Sequence, residues 1–232
     1  MKFISKIIYF YRRKIQPGFR ISRDELVVDI GSGDKPFWRA DIFFDDLSLR
    51  NEQRISTTET ITDLGVFIDG NLPVTPFKDK AFDFSFCSHL LEHVDDPDKT
   101  IKEIMRISKR GYMEVPNGIL ETISPFRSHL WFIFLNGNKL VFVRKSKKMH
   151  ETLINNGLSF SYLFKKIKNP FIRLYWNGVI EYEIIDDLDY EDKFTAIQKD
   201  ESLSRKNDPY KFIVKIMRKI FYKKKDLKAL LK

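Results

Sequence analysis

Asp29-Ile30-Gly31-Ser32-Gly33 closes an apolar run with two glycines, and glycine has no Cβ to hold a ligand away from main-chain N–H groups. Acids stand after the next two apolar runs, as Asp45-Asp46 and as Asp69 in Asp69-Gly70-Asn71-Leu72. A carboxylate after a second strand accepts both hydroxyls of a ribose, and a polar residue after a third pairs with an adenine edge. Asp46 is the choice for the ribose, with Asp45 and Asp41 as rivals because the register of that short run is open. Asp69 is the choice for the adenine. Lys35 stands where a third glycine would serve a pyrophosphate, with Pro36 next, which weakens a dinucleotide reading.

His89, Glu92 and His93 form a second group. At spacings of three and four they share one face of a helical turn, which suits a metal or a general base. Glu92 and His93 stay open between such chemistry and a structural duty in the turn, and His89 is kept as the catalytic candidate. The single Cys87 lies late in a strand and reads as a small core residue, and no Cys/His spacing suggests zinc, so no metal is expected. Further on, Glu121, Arg127, His129, Trp131 and Phe132 follow the last run of the common pattern. Aromatic rings with a few polar groups suit sugars and flat organic molecules; Glu121, His129 and Trp131 are therefore the candidate substrate residues.

These residues need a frame. Glu25 to Ile30, Ala40 to Phe44, Gly65 to Ile68, Ala81 to Cys87 and Tyr112 to Val115 read as five strands. Asp96-Pro97-Asp98 opens a helix with Ile101, Ile104, Met105 and Ile107 at near-helical spacing, and Gly111 is read as its stop. Strands alternating with helices, with glycines and acids at their C-terminal ends, imply an α/β fold: a doubly wound, mostly parallel sheet with its ligand along those ends. His129 to Phe134 with Lys139 to Val143, and Phe171 to Trp176 with Val179 to Ile185, read as two hairpins. Met149 to Lys168 reads as helical. The organisation expected is a basic N-terminal helix over 1–24, a catalytic domain over 25–207 with a hairpin insertion at 118–148, and a basic amphipathic helix over 208–232.

The stretch Val27 to Gly33, and the series Leu72-Pro73, Phe82-Asp83 and Leu91-Glu92-His93-Val94, resemble the class I S-adenosylmethionine-dependent methyltransferases, in the branch that includes ubiquinone- and menaquinone-biosynthesis enzymes. The resemblance spans about residues 25 to 118. It implies a Rossmann-like fold and S-adenosyl-L-methionine as cofactor. Asp29, Gly31, Ser32 and Gly33 would border the amino-acid part, Asp46 the ribose, Asp69, Gly70, Asn71 and Leu72 the adenine, and Ser88 and His89 the sulfonium. Lys35-Pro36 and the weakly patterned Leu47 to Asp63 depart from the family. A sulfonium is already an activated donor, so alignment and exclusion of water carry the reaction. The resemblance around Lys109 to Pro116 and His129-Leu130-Trp131 extends to enzymes of bacterial surface-polysaccharide pathways, which ranks a small molecule or glycan intermediate first as acceptor.

Charge bounds the partners. The formal net charge is +9, but residues 1–23 carry seven basic and no acidic residues, and residues 208–232 carry nine basic and two acidic ones. The 25 basic and 30 acidic residues between them leave a net of −5. A nucleic-acid methyltransferase, suggested by a pI near 9.4, is disfavoured because the body that holds the site is acidic. A catalytically silent binder of the cofactor is the other alternative. Basic ends with apolar stripes imply a cytoplasmic protein in peripheral contact with anionic membrane at its inner face. One cysteine makes no internal disulfide and fits a reducing compartment.

Overall fold

Runs of Val, Ile and Phe fill both faces of a strand, so they favour a sheet covered on each side. In the computed structural model, which describes residues 21–47, 61–123, 125–156, 170–194 and 210–222 together with Lys225, Leu227 and Leu230, they do so. Strands β1 (Val27–Ile30), β2 (Ile42–Asp45), β3 (Val66–Asp69) and β4 (Phe82–Ser88) precede helix α1 (Pro97–Ile107), β5 (Ser108–Pro116) and α2 (Gly118–Ile123). After them come β6 (Trp131–Asn136), β7 (Lys139–Arg144), α3 (Lys147–Asn156), β8 (Phe171–Asn177), β9 (Tyr182–Ile185) and α4 (Tyr210–Phe221). The main sheet has the order β3-β2-β1-β4-β5-β8, parallel from β3 to β5 and closed by an antiparallel β8. The chain reverses direction across the sheet beside β1, and a crevice opens at such a point beyond the strand ends.

Alternation along the strands divides the core. Val28, Ile30, Ile42 and Phe44 pack with Ile101, Ile104 and Ile107 of α1 and with Trp131, Ile133 and Phe142 of the second sheet. Val27, Phe43, Phe84, Phe86 and Tyr112 pack on the other face with Phe37 and Ala40. The start of α1 is as read: Asp96 accepts a hydrogen bond from the Lys99 N–H at 2.9 Å and Pro97 opens the first turn. Its end is not. Gly111 lies inside β5, which begins directly after Ile107. A Cβ at Gly111 would stand 2.5 Å from the Ser85 carbonyl oxygen and 2.7 Å from Trp176 Nε1; the glycine serves close packing, not helix termination.

The first hairpin forms as β6 and β7, turning through Gly137 at φ 62°. The second does not form. Strand β8, whose Ile172, Leu174 and Trp176 alternate with outward residues, covers the free edge of β5. Strand β9 instead pairs in parallel with β7, giving a second sheet of order β6-β7-β9, and Asn177 keeps only an isolated bridge to Val179.

Helix α4 corrects the face read from its sequence. Arg218 is buried, donating to the carbonyls of Trp38 and Ala40 and lying 5.1 Å over the Phe43 ring. Lys211 and Lys215 pair with Asp63, and Lys225 with Asp41. Phe212 and Ile216 are exposed. A long guanidinium that satisfies two main-chain carbonyls competes successfully with an apolar stripe for the buried side. Residues 1–20, with nearly all of the expected basic N-terminal helix, lie outside the described residues, as do 48–60, the second half of the helix read after Met149, and the boundary placed at 207. No helix among the described residues is long and apolar enough to cross a membrane.

Candidate active site

The parallel register sets the acids side by side. Asp45 is opposite Asp69, Ile30 is opposite Phe44 and Cys87, and Ser88 is opposite Glu114. The C-terminal ends of four neighbouring strands therefore present, in order, Asp69, Asp45-Asp46, the glycine turn, and Ser88-His89. Gly31 and Gly33 have φ 70° and 53°, which glycine enters at little cost. The Gly31 N–H is tied to the Phe44 carbonyl at 2.8 Å, and a Cβ there would come 3.1 Å from Leu90. At Gly33 a Cβ would meet nothing nearer than 3.9 Å among the described residues. Between them, Ser32 is buried and its Oγ has no hydrogen-bond partner among the described residues. A buried hydroxyl without a partner inside a glycine turn fits a polar ligand group laid against that turn.

Asp29 does not face that space alone. Its buried carboxylate accepts from the Phe37 N–H at 2.5 Å and so fixes the far end of the loop. Asp45 accepts from the N–H groups of Gly33 at 2.8 Å and Asp46 at 2.9 Å, which makes it the clamp that holds the turn against β2. Asp41 is fully buried just before β2, bonded to the Val27 N–H, at the opposite end of the strand from Asp45 and Asp46. Asp46 stands just past the strand, partly buried. Asp69 is exposed and accepts from the Leu47 N–H at 2.8 Å. Gly70 packs under the Phe44 ring, where a Cβ would come within 2.8 Å, and donates to the Asp45 carbonyl. Asn71 is exposed and Leu72 partly buried ahead of a cis Leu72–Pro73 peptide.

His89 holds φ 57°, an uncommon conformation for a side chain of its kind. Its N–H donates to the Glu114 carbonyl at 2.8 Å. Its ring lies between two buried carboxylates, with Nδ1 3.1 Å from Glu92 and Nε2 3.4 Å from Glu114, and rests edge-on against Phe171. The His89 side chain is 32% exposed while Glu92 is fully buried, so the ring is the part of this pair that solvent reaches. Ser88 Oγ lies 3.5 Å from Glu114. Burial opposes ionisation of Glu92, but the His89 hydrogen bond and the surrounding imidazoles outweigh it and bring the pKa down to about 2. Desolvation lowers His93 to about 4, so that ring is neutral at pH 7.

The three substrate candidates are interior. Glu121 accepts from the Phe126 N–H, His129 Nδ1 and Lys145 Nζ at 2.7, 2.7 and 2.6 Å. Trp131 donates to the Val94 carbonyl at 2.8 Å and lies under Arg144. All three are at most 3% exposed, because β6 packs on the main core and turns its first residues inward. Sequence reading missed Glu114, Lys145, Phe171 and Arg173. A glutamate inside the otherwise apolar Tyr112-Met113-Glu114-Val115 was the available signal; Arg173, which pairs with it at 2.8 Å, gave none, since only the β5–β8 register brings them together.

Residues 41–113 match the family model described as "Methyltransferase domain". No curated protein matches the sequence. Similar solved structures include a chain of a Haloferax volcanii complex containing the Trm112 methyltransferase activator, at 20% identity over 51% of this chain and 58% of that one, with a TM-score of 0.37. Another is an S-adenosylmethionine-dependent methyltransferase of Thermotoga maritima, titled a possible histamine N-methyltransferase, at 20% identity over 50% of this chain and 59% of that one, TM-score 0.34. A Pyrococcus horikoshii protein shares 16% identity over 67% of this chain and 81% of its own, TM-score 0.39. The chain spans less than two thirds of the length of the first two.

Proposed function

We propose that this chain, which carries a methyltransferase domain with S-adenosyl-L-methionine as its cofactor, transfers a methyl group to a small-molecule or glycan-intermediate acceptor. The series from Leu72-Pro73 to Leu91-Glu92-His93-Val94 supports the ubiquinone- and menaquinone-like branch. One observation carries the reading: a glycine turn with a buried hydroxyl that has no partner among the described residues lies beside carboxylates at the ends of two neighbouring strands. In this arrangement Gly31, Ser32 and Gly33 take the amino-acid part of the cofactor, Asp46 the ribose, and Asp69 to Leu72 the adenine. Asp29 and Asp45 support them by fixing the loop.

The cofactor supplies an electrophilic methyl on a positively charged sulfur, so the residues have to orient, desolvate and handle a proton. Ser88 and His89 border the reacting centre. With the cofactor bound, an acceptor heteroatom would stand beside His89, and the proton it sheds would go to water or to His89, whose ring Glu92 and Glu114 hold in place. Alignment of this kind supplies most of the rate for an activated donor. The exposed edge of His89 and the ring of Phe171 are the surfaces offered to the acceptor, in place of the interior Glu121, His129 and Trp131.

Asp46→Ala is expected to weaken binding of S-adenosylmethionine by about 30-fold, the loss of two hydrogen bonds to a charged group, as read by isothermal titration. Unchanged affinity in a folded Asp46→Ala protein would remove Asp46 from the ribose. Asp45→Ala should also weaken binding, together with stability, because it frees the Gly33 turn.

Peripheral contact with anionic membrane belongs to the same proposal. It rests on exposed Phe212 and Ile216 beside exposed Lys219; each basic residue near such a surface is worth about 1 kcal/mol. Vesicles of anionic lipid at low salt should carry the protein on flotation, and Phe212→Ser with Ile216→Ser should abolish it. No flotation of the parent with anionic vesicles would end this part of the reading.

A further inference from the structure

Glu92 and His93 in the turn after β4 meet His129 in the segment leading into β6, and the ligand-capable atoms of the three lie within 4.8 Å of one another. Their hydrogen bonds fix where the protons are. His93 Nδ1 is 3.0 Å from the Ser128 carbonyl oxygen, which can only accept, so Nδ1 carries the hydrogen and Nε2 a lone pair. His129 Nδ1 is 2.7 Å from a Glu121 carboxylate oxygen, which leaves Nε2 as its inward atom, 4.0 Å from Glu92 Oε1. Glu92 is fully buried, and its Oε2 has no hydrogen-bond partner among the described residues. Two imidazole rings and a carboxylate therefore converge on one space, and with each ring singly protonated at its hydrogen-bonded nitrogen they offer three electron pairs to it.

Such a convergence is repulsive in a poorly solvated place unless a cation occupies it. The buried cation Lys145 is committed to Glu121 at 2.6 Å. Two imidazoles and a carboxylate, with the far nitrogen of each imidazole held by a carbonyl or carboxylate, make a donor set suited to divalent transition ions.

We propose that Glu92, His93 and His129 hold one divalent transition-metal cation of the zinc or cobalt type, beneath His89 at the end of β4. Ligand atoms about 2.0–2.2 Å from such an ion stand closer together than the widest pair does, so binding draws the three inward by about an ångström. Three protein ligands leave a further position on the ion for water or an acceptor oxygen. Spacing along the chain groups His93 with His89 instead, because His129 comes from a separate part of it. The inference does not depend on the methyltransferase reading, since it rests on other atoms.

The test uses chelator-stripped full-length protein titrated with Co²⁺ alone and with Zn²⁺ alone. One ion per chain is expected, with visible cobalt absorption and a higher unfolding midpoint, because only the folded state assembles the site. His93→Gln and His129→Gln should each lose about 100-fold or more in affinity. His129→Cys should keep binding and add a near-ultraviolet thiolate-to-cobalt band, which stands as the deciding variant if a glutamine replacement does not fold. Substoichiometric uptake by the parent overturns the site, as does undiminished binding by both glutamine variants, or cobalt binding by His129→Cys without the thiolate band. Titration of the metal-free protein with S-adenosylmethionine, run in parallel, reads the cofactor site separately.

Discussion

Gly33→Asn is expected to fold like the parent and to bind S-adenosylmethionine about 100-fold more weakly, a loss of about 2.7 kcal/mol. Asparagine is among the few residues that accept φ near 53°, and no atom of the described residues has to move for a Cβ at this position. The Gly33 N–H keeps its bond to Asp45. What changes is that a side chain now projects into the opening above the strand ends, where the proposed cofactor lies. Gly137→Asn is the matched control: φ is 62°, nothing lies within 4 Å of an added Cβ, and the residue sits in the distant β6–β7 turn. Titration calorimetry on both, with circular dichroism to check folding, decides the matter. Equal affinity in the two variants would move the cofactor away from the glycine turn.

Glu121→Gln should destabilise the protein by about 3–5 kcal/mol, because it leaves the ammonium of Lys145 buried with no carboxylate beside it. Lys145 is fully buried and Glu121 is 1% exposed, so neither charge can recover its hydration. Burial opposes the ionisation of Glu121, yet His129 and Lys145 hold its pKa below the ordinary carboxylate value. At about 2–4 °C per kcal/mol for a chain of this size, the midpoint should fall by roughly 10 °C. Adding Lys145→Met to Glu121→Gln should restore much of the loss, because a thioether over the Phe132 ring needs no partner. Urea unfolding of the two single variants and the double measures the coupling. A Glu121→Gln protein within 1 kcal/mol of the parent would mean that the pair is not the buried one described, and the residue would return to the list of acceptor contacts.

The parallel strands, the start of α1 and the β6–β7 hairpin were legible because each is local: apolar runs of four to seven residues, an Asp before a proline, and a turn between two apolar stretches. Strand ends moved by one or two residues, apart from β5, which begins at Ser108, four before Tyr112; this matters little for Gly31 or Asp69. The failures were non-local. Gly111 looked like a helix stop because a glycine after an apolar helix usually is one, and only the approach of Ser85 and Trp176 from β4 and β8 gives it another purpose. The run from Phe171 to Ile185 looked like a hairpin across Asn177-Gly178, but β5 and β7 each had a free edge and took one half of it.

The sequence by itself determined the class of fold, the line of glycines and acids that a nucleoside-like cofactor requires, and the acidity of the body beneath basic ends. Those properties follow from residue type and short-range order, which survive in any reading of the chain. Tertiary structure alone decided that Asp45 clamps the glycine turn, accepting from the N–H groups of Gly33 and Asp46. It also decided that Arg218 points inward while Phe212 faces water, and that Glu121, His129 and Trp131 are interior. Finally, it brought His129, 36 residues from His93 in the chain, to within a few ångströms of it. Spacing along a chain reports neighbours on one strand or helix, whereas burial and proton placement depend on what packs against them, and that partner came each time from another part of the chain.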